Sequence, residues 1–91
     1  MAIVTRAKPT EFRLYAPQAR QVSLAGSFNS WNTKTLSAKK DSRGNWAAKV
    51  NLKPGRYEYK FLVDGSWLND PNCRSYIPNA FGSQNSLIEV R

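Results

Sequence analysis

The chain has 91 residues, enough for one small domain with a single modest hydrophobic core. Its content of 41% apolar and 12% aromatic residues excludes a disordered chain, and its formal net charge is +8. There is no histidine and only one cysteine, Cys73, which excludes a histidine general base, an intramolecular disulfide and a cysteine-based zinc site. Together with the scattering of the six acidic residues, these absences predict that the protein is not an enzyme and holds no metal or cofactor.

The amino-terminal residues give no sign of a targeting or membrane segment. No apolar run approaches the roughly 20 residues that a membrane-spanning helix needs. Residues 1–10 lack the apolar core of a signal peptide, and a lone thiol suits a reducing compartment. We therefore expect a soluble, cytoplasmic protein. Residues 1–9 are expected to be a flexible lead-in to a single domain over residues 10–91.

Short segments of alternating hydrophobicity follow, separated by turn residues and without a helical period. Because strands of this length with regular turns are typical of sandwiches, the pattern predicts an all-β, immunoglobulin-like antiparallel β-sandwich. The stretch 70–79 contains Pro71, Pro78 and polar residues and is predicted to be a long loop. The predicted strands lie around residues 12–14, 22–24, 46–50, 56–63 and 85–90.

The pair Asp64-Gly65 predicts a hairpin with a two-residue turn. Such a turn pairs Leu62 with Trp67, and paired residues share a face of the sheet. Trp67 and Lys60 are therefore predicted on the face away from the core. The opposite, core face is predicted to contain Tyr57, Tyr59, Phe61, Val63 and Leu68.

The three tryptophans fall in different sequence contexts. Trp46 alternates with Ala48 and Val50 and is predicted to be a core residue. Trp67 either provides a flat apolar surface for a sugar ring, or covers a second hydrophobic surface, or lies under the 70–79 loop. Trp31, in the polar turn 26–32, either closes one end of the sandwich or contacts a ligand.

A sugar stacked on an exposed tryptophan also needs hydrogen-bond partners for its hydroxyl groups. Candidates near the predicted strands are Lys60, Ser83 and Asn85.

Three ordered motifs carry a resemblance to a known family. They are VSLAGSFNSW at 22–31, LKPGRYEYKFLVDGSW at 52–67 and FGSQNSLIEV at 81–90. This combination resembles the family 48 carbohydrate-binding modules, most of all the glycogen-binding domains of AMP-activated protein kinase β subunits. The resemblance covers about residues 10–90. It implies an immunoglobulin-like sandwich that binds α-1,4-linked glucans such as glycogen, starch and cyclodextrins.

The resemblance also implies roles for individual residues. Trp31 and Trp67 match the two tryptophans that stack on successive glucose units in the glycogen-binding domains. Lys60 and Asn85 match the lysine and asparagine that hydrogen-bond sugar hydroxyls.

Two positions depart from the family pattern. Phe81 stands where the family usually has a leucine that inserts into the ring of a curved glucan, and Ser83 stands where it has a threonine. The larger ring of Phe81 is expected to change how deeply a cyclic or helical glucan sits.

Other functions compete with glucan binding. Some family 48 modules mainly pack against a catalytic domain, so a docking role with a catalytic or kinase partner is the first alternative. A single-stranded nucleic-acid binder is less favoured because the basic residues are dispersed along the chain and no ribonucleoprotein motif is present.

Overall fold

Two antiparallel sheets form the fold of residues 7–91, the part of the chain that the computed structural model describes. The strands are β1 (Lys8–Tyr15), β2 (Val22–Gly26), β3 (Lys39–Lys40), β4 (Asn45–Leu52), β5 (Gly55–Val63), β6 (Ser66–Leu68), β7 (Ser75–Pro78) and β8 (Gln84–Val90). The first sheet has three strands in the order β1-β4-β3, and the second has five, in the order β2-β5-β8-β7 with β6 also paired to β5. The predicted all-β antiparallel sandwich is thus confirmed.

The amino-terminal strand starts earlier than the domain boundary expected from the sequence. β1 begins at Lys8, inside the predicted lead-in of residues 1–9. Residues 1–6 of that lead-in lie outside the described residues. Across residues 7–91, no helix has the length and apolar character needed to cross a membrane.

The core lies between the two sheets, where alternate side chains of the longer strands meet. Leu14 on β1, Leu24 on β2 and Phe61 on β5 are almost completely buried. Trp46 on β4 is 7% exposed, and its indole Nε1 donates a hydrogen bond to the Ala16 carbonyl oxygen at 2.8 Å. The predicted core position of Trp46 is therefore confirmed, with its one polar atom satisfied.

The hairpin between β5 and β6 has the predicted register, with Leu62 paired to Trp67. Asp64 and Gly65 both have positive φ angles, 48° and 85°, as the two central residues of a type I′ turn require. The prediction that Leu68 belongs to the core is wrong, because 44% of its surface is exposed. β6 has only three residues and pairs with β5 alone, so no further strand of residues 7–91 lies beside Leu68 at the free edge of β6.

The predicted loop over residues 70–79 contains a strand, which corrects the sequence interpretation. Ser75–Pro78 forms β7 and pairs with β8 at the outer edge of the five-stranded sheet. All four of its residues are exposed, so the alternation that marks a half-buried strand is missing. Pro78 is tolerated because it ends an edge strand, where a missing N–H costs little.

A buried hydrogen-bonded pair fixes the start of the segment that leads into β7. The Tyr59 hydroxyl donates to Asp70 Oδ2 at 2.6 Å, and the Asp70 backbone N–H donates to Ser86 Oγ at 2.9 Å. Burial, reinforced by the Asp70 carboxylate, raises the pKa of Tyr59 well above its ordinary value. The phenol therefore stays protonated and holds Asp70 against the sheet.

The first prediction concerns the core. Replacing Trp46 by alanine is expected to lower the free energy of unfolding by roughly 3–5 kcal/mol, because it leaves a large cavity and removes one of the two hydrogen bonds that the Ala16 carbonyl accepts. Urea denaturation followed by circular dichroism measures this loss. As a control, Tyr15→Ala alters an aromatic residue on the same sheet that is 66% exposed, and a change within about 1 kcal/mol is expected. Equal effects of the two substitutions would contradict the assignment of Trp46 to the core.

Candidate functional site

An open groove of about 940 Å³ lies on the outer face of the five-stranded sheet. The alternation that buries Tyr59 and Phe61 in the core turns Glu58 and Lys60 of β5 toward this groove. Trp67 reaches the same face from β6. The lining residues are Ser27, Trp31, Glu58, Lys60, Trp67, Pro78, Asn79, Ala80, Phe81, Ser83 and Asn85.

Two tryptophans in the lining of the groove contact each other. The ring centroids of Trp31 and Trp67 are 6.3 Å apart, and their planes are inclined at 75°. Edge-to-face contact of this kind is a favoured arrangement for aromatic pairs. Trp67 is 49% exposed and Trp31 is partly buried. The pair therefore presents two flat apolar surfaces that face in different directions.

The turn before Trp31 holds it in an unusual backbone conformation. Ser30 and Trp31 have φ angles of 55° and 59°, in the left-handed region that most residues avoid. The Trp31 N–H donates to the Gly26 carbonyl at 2.9 Å, and Asn29 Oδ1 accepts from the Gly26 N–H at 3.0 Å. These hydrogen bonds hold the turn in place and offset the energetic cost of its strained backbone conformation.

Gly26 is required for the turn to approach β5. A Cβ atom at this position would lie 2.4 Å from the Glu58 carbonyl oxygen and 2.8 Å from the Phe28 ring. Any side chain would displace the turn and move Trp31 with it.

Polar side chains also line the groove. Lys60 Nζ donates to Ser83 Oγ at 3.3 Å, a long bond between groups that remain partly open to solvent. Asn85 is 8% exposed and donates from Nδ2 to Glu58 Oε1 at 3.0 Å, while its Oδ1 accepts from Asn79 Nδ2 at 3.0 Å. Together these groups offer both hydrogen-bond donors and acceptors at the groove.

Phe81 is the most exposed large apolar side chain at the groove. Its ring is 91% exposed and lies in the turn between β7 and β8, which is closed by a hydrogen bond from the Asn79 N–H to the Ser83 carbonyl at 3.0 Å. A single exposed apolar residue is common on protein surfaces, but one that lines a groove beside two tryptophans extends its apolar surface.

The groove is electrostatically balanced although the chain carries a net charge of +8. Its charged lining residues are Lys60 and Glu58, whose formal charges cancel. A groove that follows a nucleic-acid backbone needs a clear excess of positive charge. No group of three histidine, cysteine, aspartate or glutamate side chains able to hold a metal ion occurs among residues 7–91. The groove thus suits an uncharged ligand with flat apolar faces and a polar rim.

Comparison with known proteins identifies the family. The family model for the glycogen recognition site of AMP-activated protein kinase matches residues 8–91. The chain belongs to this family. The resemblance drawn from the sequence motifs is therefore confirmed. As a member of this family, the chain is a non-catalytic carbohydrate-binding module.

Relatives of this glycogen-recognition family include kinase subunits from mammals. The pig 5'-AMP-activated protein kinase subunit beta-1 is 37% identical over 86 residues, which is 94% of this chain and 66% of the pig protein. The human subunit beta-1 and the mouse subunit beta-2 are each 36% identical over 86 residues, again 94% of this chain. The chain spans 30% of the length of each of these two relatives.

The structure brings all six site residues expected from the sequence to one groove: Trp31, Lys60, Trp67, Phe81, Ser83 and Asn85. Their contact with a sugar stays a prediction. Sequence reasoning missed Glu58 and Asn79, which hold Asn85 from two sides. Glu58 could have been found, because alternation along β5 places it on the same face as Lys60, opposite the face of Tyr57 and Tyr59. Asn79 gave no signal, since it lies in a segment interpreted as an irregular loop.

The second prediction concerns the turn that positions Trp31. Asn29→Ala removes the acceptor for the Gly26 N–H and the Nδ2 donor to the Asn32 carbonyl, a bond of 3.0 Å. The strained turn should relax and change the angle between Trp31 and Trp67. We expect the exciton signal of this tryptophan pair in circular dichroism to weaken while the thermal transition remains cooperative. Asn51→Ala, at an exposed position of β4 in the other sheet, is the control. An unchanged exciton signal in Asn29→Ala would contradict this role.

Proposed function

We propose that the groove binds α-1,4-linked glucans such as glycogen, starch or cyclodextrins by stacking glucose rings on Trp31 and Trp67. The observation that carries the proposal is the pair of indole planes inclined at 75° beside a polar rim. Family membership supports it, because the matching family is described as a glycogen recognition site.

The chemistry of a pyranose ring fits such a surface. One face of the ring presents C–H groups, which pack on an indole through apolar burial and dispersion. The hydroxyl groups at its edge need donors and acceptors from the protein. Lys60, Ser83 and Asn85, which line the same groove as the tryptophans, can supply these groups.

The angle between the indole planes favours a curved glucan over a straight one. Successive rings of an α-1,4-linked chain turn relative to each other, so two rings can lie flat on two inclined surfaces. A β-1,4-linked chain is extended and presents its rings along one flat ribbon. Phe81, at the edge of the groove, would contact the concave side of the curved chain.

The affinity of such a site should be moderate. The groove is open to solvent, and a sugar exchanges hydrogen bonds with water for similar bonds with protein. We expect a dissociation constant between about 1 μM and 1 mM, equivalent to roughly −8 to −4 kcal/mol.

The relatives suggest the setting in which the module works. Because the mammalian relatives are subunits of 5'-AMP-activated protein kinase, we propose that this module brings a kinase complex to its glucan. A docking role without sugar binding is the competing function. Failure to bind any glucan would favour it.

A fluorescence titration tests the proposed function directly. Trp31 and Trp67 line the groove while Trp46 is buried, so two of the three tryptophans report on ligand binding. Saturable change with β-cyclodextrin at about 0.15 M salt, and none with a β-1,4-linked glucan oligomer, is the expected result. No response to either sugar would refute glucan binding.

The third prediction separates binding from folding. Trp67→Ala should weaken β-cyclodextrin binding by at least about tenfold, because roughly 1.5–3 kcal/mol of apolar burial is lost. Its thermal transition should stay close to that of the wild type, since the side chain is 49% exposed. Tyr15→Ala removes an exposed aromatic residue outside the groove and should leave affinity unchanged. Unfolding of Trp67→Ala with intact binding in the remaining folded fraction would contradict the assignment of Trp67 to the groove.

A further inference from the structure

One side chain, Asn79, organises the turn that carries Phe81. Asn79 Oδ1 accepts hydrogen bonds from the backbone N–H groups of Phe81 at 2.9 Å and Ser83 at 3.1 Å. Its Nδ2 donates to Asn85 Oδ1 at 3.0 Å. A single amide therefore bonds to three of the six residues expected to contact the sugar.

The hydrogen bonds of Asn79 extend through Asn85 to Glu58. The groups at the two ends of this series fix which atom of each amide donates and which accepts. Asn85 Nδ2 donates to Glu58 Oε1 at 3.0 Å. An ionised carboxylate only accepts hydrogen bonds, and a backbone N–H only donates them. Each amide in between must turn its NH₂ group toward Glu58 and its oxygen toward the turn. The orientations of Asn79 and Asn85 are thus fixed before any ligand arrives.

The exposed ring of Phe81 depends on this arrangement. Because the ring is 91% exposed, packing against other side chains contributes little to its position. The backbone of the turn must set where the ring projects, and Asn79 accepts the hydrogen bonds that shape this backbone. Asn85 keeps one N–H and one lone pair of fixed orientation for a hydroxyl group.

We propose that Asn79 is a positioning residue for glucan binding, which presets Phe81, Ser83 and Asn85 through hydrogen bonds of its side chain. This inference rests on the proposed function. A turn that is already ordered avoids the entropic cost of ordering it on binding. Asn79 therefore strengthens binding through the residues it holds.

Asn79→Asp is the sharpest test because it exchanges a single heavy atom, the amide nitrogen, for an oxygen. The aspartate keeps an oxygen for the N–H groups of Phe81 and Ser83 but replaces the Nδ2 donor with a second acceptor. That oxygen repels Asn85 Oδ1, and Asn85 cannot reverse its amide because Glu58 also only accepts. We expect β-cyclodextrin affinity to fall about tenfold, with the thermal midpoint close to that of the wild type.

Two further variants test whether the loss of β-cyclodextrin affinity in Asn79→Asp depends on Asn85. In an Asn85→Ala background, Asn79→Asp should change affinity by less than about twofold, because the repelled group is gone. Asn51→Asp introduces the same charge at an exposed position of β4 and should leave affinity unchanged. An undiminished tenfold loss in the Asn85→Ala background would overturn the positioning role.

The outcomes separate this inference from the proposed function. If the wild-type protein binds β-cyclodextrin and Asn79→Asp binds it equally well, the positioning role of Asn79 is refuted and the proposed function stands. If the wild-type protein does not bind the sugar, the proposed function fails and the inference fails with it.

Hydrogen exchange of the wild-type protein tests the turn without any substitution. In the absence of sugar, the amide protons of Phe81 and Ser83 should exchange at least about tenfold more slowly than those of Ala80 and Gly82, whose amides find no acceptor among the described residues. Equal exchange at all four positions would show that the turn is not preset. This would overturn the inference even if Asn79→Asp failed to fold.

Discussion

The register of β5 is the constraint on which both the core and the groove depend. This strand lies between β2 and β8, and its side chains alternate between the two faces of the sheet. Tyr59 and Phe61 enter the core, while Glu58 and Lys60 face the groove. A slip of one residue would bury the two charges and expose the two aromatic rings. The hydrophobic effect that selects the register therefore also places the polar groups of the groove.

The proposed stacking of sugar rings on Trp31 and Trp67 requires that the two indole planes keep their relative angle. Trp67 is fixed by the short hairpin, whereas Trp31 lies in a strained turn held by Asn29 and Gly26. The edge-to-face contact between the two rings links these elements. Each tryptophan thus limits the movement of the other, and the inclined surfaces are ready before a ligand binds. This preorganisation partly compensates for the openness of the groove.

The parts of the fold that could be predicted from the sequence are those with local or alternating signals. The strands with one buried face and the hairpin register followed from period-two hydrophobicity and the Asp64-Gly65 pair. The edge strand β7 could not be predicted, because all of its residues are exposed. Leu68 was assigned to the wrong environment, since alternation gives the face of a residue but not whether the opposite sheet extends that far. Burial at the edges of a sheet depends on both layers.

Some features of the candidate site could likewise be predicted from the sequence, and others could not. The sequence by itself placed Trp67 and Lys60 on one outer face, because pairing in a two-residue hairpin is a local property. Its motifs also linked Trp31, Phe81 and Asn85 to this site through the family resemblance. Only the tertiary structure decided the 75° angle between the indole planes and the directed hydrogen bonds from Glu58 through Asn85 to Asn79. These features arise where turns and strands far apart in the chain converge, and no local pattern encodes the distances between their atoms.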